Sequence, residues 1–187
     1  MSALYIIIGV VVILIIIMAA TYNSLVRLRN GVRNAWAQID VQLKRRHDLI
    51  PNLVETAKGY MTHERGTFEA VTKARNLAQK AVGTGVGAQS KAEGELSSAL
   101  ARLLVVVENY PDLKASQNFL ALQEELTSTE NKISFSRQFY NDSVLRYNNK
   151  TQMFPSNMMA GIIGFKTNEF FEIAAAEERA APKVSFS

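Results

Sequence analysis

Cysteine is absent from this chain and histidine is rare. Without cysteine the protein can form no disulfide, no thiolate zinc site and no lipid-modified cysteine. The two histidines, His47 and His63, are separated by Pro51, and they do not supply the three or four converging ligands that a zinc site requires. The sequence therefore predicts no metal site and no cofactor.

Residue patterns typical of catalysis are also missing. No Ser-His-Asp or Cys-His arrangement indicates a nucleophile. The glycine-rich stretch 83–87 follows no strand and precedes no Lys-Ser/Thr pair, so it is a connector rather than a phosphate-binding loop. Glu124, Glu125 and Glu130 lack the Glu-x-x-His pattern of di-iron bundles. We therefore predict no catalytic residue, no small-molecule substrate and no enzyme activity.

Charge is absent from the first twenty residues, and residues 3–20 form an almost unbroken apolar run. As a helix rising about 1.5 Å per residue, this run measures roughly 27 Å, close to the hydrocarbon thickness of a bilayer. No Lys or Arg precedes it and no clean Ala-x-Ala site follows it, which favours a retained anchor over a cleaved signal peptide. Residues 1–21 are predicted to be a transmembrane anchor.

The first basic residues all follow the anchor, and residues 21–46 carry six Arg or Lys against one Asp. This asymmetry favours an N-terminus outside and a body in the cytoplasm, with a periplasmic or extracellular body as the alternative. The basic residues are clustered beside the anchor rather than spread over a face with aromatics, which argues against nucleic acid. Contacts with lipid headgroups are predicted for Tyr22, Arg27, Arg29 and Arg33.

Strand signals are scarce, and apolar residues recur at steps of three and four from Leu25 to Tyr60. This pattern predicts one nearly continuous helix over residues 3–60. A second helix is predicted after Thr62 as N-cap, and a third after the capping box Ser90–Glu93. A fourth is predicted over residues 113–153. The predicted fold class is all-α: a single transmembrane helix running into an up-down four-helix bundle over residues 22–153. Its coiled-coil-like helices cross at angles of about 20°.

Residues 154–187 are predicted to be an apolar segment followed by a tail. The apolar part contains glycine and is too short to span a bilayer. It either closes the open end of the bundle or forms an exposed patch for a partner or a second copy. The predicted contact residues are Phe154, Met158, Met159, Ile162, Ile163, Phe165, Phe170 and Phe171.

Polar side chains interrupt the apolar stripes of the two longest predicted helices. Arg46 and Glu130 lie on or beside these stripes, and polar groups that face a core destabilise it unless they are paired. The favoured interpretation is a buried network that fixes helix register, and the alternative is a polar pocket. The predicted members are Arg46, Asp48, Glu130, Arg137, Tyr140 and Asn141.

Several motifs together make the chain similar to the LemA family of bacterial membrane proteins. They are YNSLVR at 22–27, RRHDLIPNLV at 45–54, YPDLKA at 110–115, FPSN at 154–157 and GF at 164–165. The resemblance implies a single-pass anchor in the bacterial inner membrane and a soluble helical body. It implies no established enzyme activity. Relatives tied to membrane organelles such as magnetosomes suggest scaffolding.

Three functions of different class remain open from the sequence. The first is a membrane-anchored scaffold or interaction protein that self-associates as a homo-oligomer in contact with membrane lipid. The second is an accessory subunit that recruits or regulates a membrane enzyme or protease, with other membrane proteins as partners. The third is a ligand sensor or enzyme that uses the polar core. Large complexes in mild detergent favour the first, crosslinks to other proteins the second, and a cavity at the polar core the third.

Overall fold

The computed structural model describes residues 2–172. Over these residues the backbone forms helices and no strand, which confirms the all-α fold class. The predicted tail beyond residue 172 lies outside the described residues. The helices are α1 Ser2–Lys58, α2 Arg65–Ala81, α3 Val86–Val107, α4 Pro111–Lys114, α5 Gln117–Gln152 and α6 Ser156–Ile163.

Helix α1 is 57 residues long and contains Pro51, which agrees with the predicted continuous helix. Its N-terminal part includes an 18-residue window of mean hydropathy 3.2 in which no residue is buried. From Leu25 onward side chains along one face are buried, and Leu25, Ala35 and Ile39 are each 0% exposed. The helix therefore begins as an uncovered apolar rod, long enough by length and composition to cross a bilayer, and continues as an amphipathic helix.

Two predicted helix starts are wrong. Helix α2 begins at Arg65, not after Thr62, and Glu64 at its N-cap position makes no side-chain cap hydrogen bond. The reason is the way α1 ends. The amides of Tyr60 and Met61 both donate to the Ala57 carbonyl, and the Met61 side chain is buried. Residues 62–64 then form the connection to α2.

Helix α3 begins at Val86, four residues before the predicted capping box. Gly85 precedes it with φ of 122°, a backbone conformation that favours glycine and fixes the start there. Ser90 and Glu93 consequently lie inside the helix, buried, and the Ser90 hydroxyl donates to the Gly87 carbonyl.

The fourth predicted helix, over residues 113–153, is divided in the structure. Pro111 opens the short helix α4, in keeping with the preference of proline for the first helical turn. Leu113 is fully buried, and α5 starts only at Gln117. The Ser116 amide donates to the Leu113 carbonyl three residues earlier, and this tight turn separates α4 from α5.

The described chain falls into two compact units, and α1 and α5 each contribute residues to both. The first unit comprises residues 2–40 and 134–170, and the second comprises residues 41–133 with 171–172. The predicted domain boundaries after residues 21 and 153 stay a prediction.

In the first unit, α1 and α5 pack through their aromatic and aliphatic side chains. The rings of Trp36 and Tyr140 meet edge to face with centroids 5.2 Å apart. After α6, Gly164 takes φ of 81° and ends the helix in the left-handed conformation. Residues 164–170, called the return segment, then run along α5.

In the second unit, four helical stretches enclose one apolar core: the last part of α1, α2, α3 and the first part of α5. Buried aliphatic side chains dominate this core, and it also encloses two phenylalanines. Its members are Ile50, Leu53, Val54, Ala57, Met61, Phe68, Val71, Ala74, Ala78, Leu96, Leu100, Leu103, Val107, Leu113, Phe119 and Leu126.

Candidate functional site

A buried arginine lies at the centre of the polar residues in the second unit. Arg46 follows Leu43 by one helical turn on α1 and is 1% exposed. Its Nη1 donates to Glu130 Oε2 at 2.7 Å and to Ser97 Oγ at 2.9 Å. Its Nη2 forms an ion pair with the Glu93 carboxylate. Three helices, α1, α3 and α5, are thus joined through one guanidinium group.

Glu93 is the buried acidic partner, at 2% exposure. His47 Nε2 lies 2.9 Å from Glu93 Oε1, an ion-pair distance when the imidazole is protonated. Burial alone raises the pKa of the Glu93 carboxyl, but His47 and Arg46 together outweigh burial and hold that pKa below its usual value. We call Arg46, His47, Glu93, Ser97 and Glu130 the Arg46 network.

Arg75 replaces a backbone hydrogen bond that Pro51 removes from α1. Pro51 has no N–H, so the carbonyl of His47, four residues earlier, has no helical donor. The side chain of Arg75 on α2 provides one instead, since its Nε donates to the His47 carbonyl at 2.7 Å. This contact satisfies an acceptor that burial would otherwise make costly.

The Arg46 network resembles a structural core more closely than a reaction centre. Arg46 pairs with both Glu93 and Glu130, and the network contains no activated nucleophile. Two open grooves of about 980 and 630 Å³ lie along α2 in the same unit, and neither is lined by a residue of the network. Among residues 2–172 no group of three or more His, Asp or Glu side chains could hold a metal ion.

In the first unit, two tyrosines and an asparagine of α5 hold the return segment. The hydroxyls of Tyr147 and Tyr140 donate to the carbonyls of Lys166 and Glu169 at 2.8 and 2.9 Å. Asn148 both donates to the carbonyl of Asn168 and accepts from its amide, at 2.9 Å each. Burial, and then the nearby Glu169, raise the pKa of Tyr140 to about 12.

A family model identifies the protein family to which the chain belongs. The model of the LemA family matches residues 35–186, well over half of the chain. This chain belongs to the LemA family. The resemblance predicted from the sequence motifs is thereby confirmed.

Individual relatives are identical to this LemA-family chain at about a quarter of the aligned positions. The magnetosome protein MamQ 2 of Paramagnetospirillum magneticum is 26% identical over 175 residues, covering 81% of this chain and 64% of the relative. The magnetosome protein MamQ of Magnetospirillum gryphiswaldense is 25% identical, covering 80% and 64%. Protein LemA of Metamycoplasma hominis is 27% identical, covering 83% and 70%. The chain thus spans just under two thirds of the length of these MamQ relatives, and none of the names describes a reaction.

The predicted polar network of this LemA-family protein is brought together only in part. Arg46 and Glu130 form the predicted pair in the second unit. Asp48 is exposed and makes no hydrogen bond or ion pair to Arg46 within residues 2–172. In the first unit, Tyr140 donates a hydrogen bond to the return segment instead, and Arg137 and Asn141 are half-buried.

The predicted lipid-contact residues lie where α1 leaves its apolar run. Tyr22 and Arg27 are exposed, and Arg33 is exposed as well. Tyr22 meets the ring of Phe165 edge to face at 6.2 Å, and the Arg29 guanidinium carbon lies 4.9 Å from the centre of that ring. Their contact with lipid stays a prediction.

The predicted partner-contact residues divide by exposure. Phe171 is 2% exposed, and Phe165 and Met159 are half-buried. The remaining side chains of the set are open to solvent: Phe154, Met158, Ile162, Ile163 and Phe170. The open part of the predicted surface is therefore concentrated on and beside α6.

Sequence reasoning missed two sets of residues that matter. Glu93 lies three residues before Leu96 and seven before Leu100, on the buried stripe of α3, and this spacing could have revealed it. Its assignment to a capping box concealed the spacing. The exposed pair Phe135 and Phe139, at 72% and 52% exposure, was also missed, although a one-turn aromatic repeat was visible.

Acid should destabilise the protein in part through Glu93. A carboxyl whose pKa is lowered in the folded state stabilises fully above its ordinary pKa of 4.5, and this contribution is lost as the pH falls through the lowered value. We therefore expect Glu93→Gln to reduce the free energy of unfolding at neutral pH and to flatten its decline below about pH 5. Urea unfolding followed by circular dichroism at several pH values measures both effects.

The matched control is Glu95→Gln, which removes an exposed carboxylate two residues away on the same helix. The decline of this variant below pH 5 should match that of the parent. An undiminished acid decline in Glu93→Gln would show that the carboxylate of Glu93 does not carry this dependence.

Proposed function

We propose that this protein is a membrane-anchored helical scaffold that self-associates at the membrane and has no catalytic role. The observation that carries the proposal is apolar surface left uncovered along the first unit. That surface begins with the wholly exposed N-terminal window of α1, whose mean hydropathy is 3.2. A separate part of it lies on α5, where Phe135 and Phe139 are 72% and 52% exposed.

Phe135 and Phe139 suit a contact between copies of the chain. They lie four residues apart on α5, so they share one face of the helix. Aromatic side chains bury large areas and are enriched among the residues that dominate protein interfaces. Large exposed apolar side chains grouped in this way are typical of interaction surfaces.

Membrane attachment makes such a small contact sufficient. Chains that share one membrane meet at a higher effective concentration than chains free in solution, so weak contacts can hold an assembly. Within the second unit, the Arg46 network joins three helices through one buried group, as expected of a structural rather than a catalytic core. The membership of this chain in the LemA family is consistent with such a role.

The test is the mass of the full-length chain in a mild detergent at micromolar concentration, measured by light scattering after size exclusion. We expect a protein mass well above the 20.8 kDa monomer. The double variant Phe135→Ser/Phe139→Ser should shift the mass toward that of the monomer, because it removes both aromatic anchors.

The matched control is Val41→Ser/Val105→Ser, which alters two exposed aliphatic residues of the second unit, at 63% and 70% exposure. This control should assemble like the parent. A monomeric parent, or an aromatic double variant of unchanged mass, would contradict self-association through α5. Crosslinking in cells that captures mainly other membrane proteins would favour an accessory subunit instead.

A further inference from the structure

Helix α6 has one buried and one open face. Ser156 and Ala160 are 3% and 2% exposed, whereas Phe154, Met158 and Ile162 are 80%, 62% and 79% exposed. Within α6, Met158 and Ile162 are each two residues from a buried position, about 200° around the helix, and Phe154 lies two residues before the helix start. Phe154, Met158 and Ile162, called the α6 face, therefore point away from the protein.

The packing of the first unit places α6 level with the end of the apolar run. Tyr140 of α5 meets Trp36 of α1, with ring centroids 5.2 Å apart. Farther along α5, Tyr147 lies near Arg29 and Arg33, whose charges act on its hydroxyl. The two helices are thus antiparallel, and continuing the pairing brings the C-terminal end of α5 to the level of Ser24.

Contacts at both ends hold α6 in that place. At its start, the Ser156 hydroxyl donates to the carbonyls of Lys150 and Met153 at 2.6 and 2.9 Å. Just beyond its end, Phe165 packs on Tyr22 at 6.2 Å. Tyr22 follows the apolar run by only two residues, about 3 Å of helix. The α6 face is therefore continuous with the surface that would meet the bilayer.

The charges around α6 have a single sign. The sequence contains no Asp or Glu from residue 1 to 39 and none from 143 to 168. The basic residues in these two ranges are Arg27, Arg29, Arg33, Arg146, Lys150 and Lys166. Such a cluster beside a membrane-spanning helix is attracted to anionic headgroups.

We propose that α6 is an interfacial helix, with Phe154, Met158 and Ile162 inserted at the boundary between headgroups and acyl chains of the bilayer that α1 crosses. An apolar face flanked by basic residues is the usual chemistry of helices that lie in the membrane surface. The inference rests on the membrane attachment used in the proposed function. A lipid surface accounts for the α6 face better than a second copy, because the face adjoins the anchor and the charge around it is complementary to lipid.

The test uses the full-length chain in vesicles of phosphatidylcholine and phosphatidylglycerol. Because the chain has no cysteine, single substitutions provide unique sites for a nitroxide spin label. Power-saturation measurements then compare its collisions with oxygen, which is concentrated in lipid, and with a water-soluble nickel chelate. We expect Met158→Cys to show an oxygen-to-nickel ratio several-fold above that of Lys91→Cys, an exposed control site on α3 in the second unit.

The outcomes separate this inference from membrane attachment itself. Ile13→Cys, within the apolar run, reports on attachment. A lipid-like ratio at Ile13 with a water-like ratio at Met158 overturns the interfacial helix and leaves attachment intact. Low collision with both reagents at Met158 means that protein covers the α6 face, as a second copy would, and also overturns the inference. A water-like ratio at Ile13 overturns both. Circular dichroism confirms that each labelled chain is folded like the parent.

Discussion

Replacing Arg46 with alanine is expected to lower the free energy of unfolding by about 3–5 kcal/mol, a large part of the stability of an ordinary domain. The cost arises because the variant leaves the Glu93 carboxylate, 2% exposed, without its guanidinium partner. It also leaves Ser97 and Glu130 without the donor that Arg46 supplies. Urea unfolding of the full-length chain in detergent, followed by circular dichroism, measures the loss.

The chain offers a matched control at the preceding position. Arg45 also pairs with a glutamate, Glu125, but the two side chains are 48% and 42% exposed. Arg45→Ala should cost no more than about 1 kcal/mol, because water replaces the partner of an exposed charge. Equal losses in the two variants would mean that burial of Arg46 has no energetic consequence.

A double replacement separates the charge from the packing. In Arg46→Met/Glu93→Leu both buried charges are removed together, and apolar groups of similar volume take their place. Well-packed apolar substitutes for a buried ion pair are often neutral or stabilising. We therefore expect the double variant to regain most of the stability that Arg46→Ala loses, since Glu130 is 45% exposed and can be solvated.

Alkaline pH is expected to destabilise the first unit through Tyr140. Its pKa is raised from 10.0 to about 12, first by burial and then by Glu169. A group whose pKa is raised by folding stabilises fully below its unfolded pKa, and this contribution is lost as the pH rises through the folded value. A difference of two pKa units corresponds to about 2–3 kcal/mol, lost between about pH 10 and 12.

The variant Tyr140→Phe isolates this contribution. Near neutral pH it should lose about 1 kcal/mol, because the hydrogen bond to the Glu169 carbonyl is removed. Above pH 10 its stability should fall less steeply than that of the parent. Tyr60→Phe, at a tyrosine 45% exposed, is the control and should follow the parent at every pH. An alkaline decline unchanged in Tyr140→Phe would assign the effect to other groups.

The sequence predicted the long elements because their signals are local and repeated. The apolar run over residues 3–20 and the stripe from Leu25 onward each extend over many turns, and α1 follows them. The break between α4 and α5 carries no glycine or proline after Pro111. Its local signal is Ser116, directly before Gln117, a residue type favoured at the N-cap but also common elsewhere in the chain.

The candidate site was predictable only where both partners lie on obvious stripes, as Arg46 and Glu130 do. Glu93 satisfies a capping-box pattern and a buried-stripe pattern at once, and the conformation of Gly85 decides between them. The return segment has no periodicity, and side chains 19 to 29 residues distant hold it through its carbonyls. Such contacts depend on the folded chain and leave no pattern in the sequence.

The contact between Arg75 and the His47 carbonyl also bears on how the chain is made. These residues are 28 positions apart, so during synthesis the stretch around Pro51 leaves the ribosome before Arg75 does. The apolar start of α1 can therefore be complete while this turn still lacks its hydrogen bond. The turn becomes complete only when α2 has emerged and docked, so the completion of α1 depends on the segment that follows it in the chain.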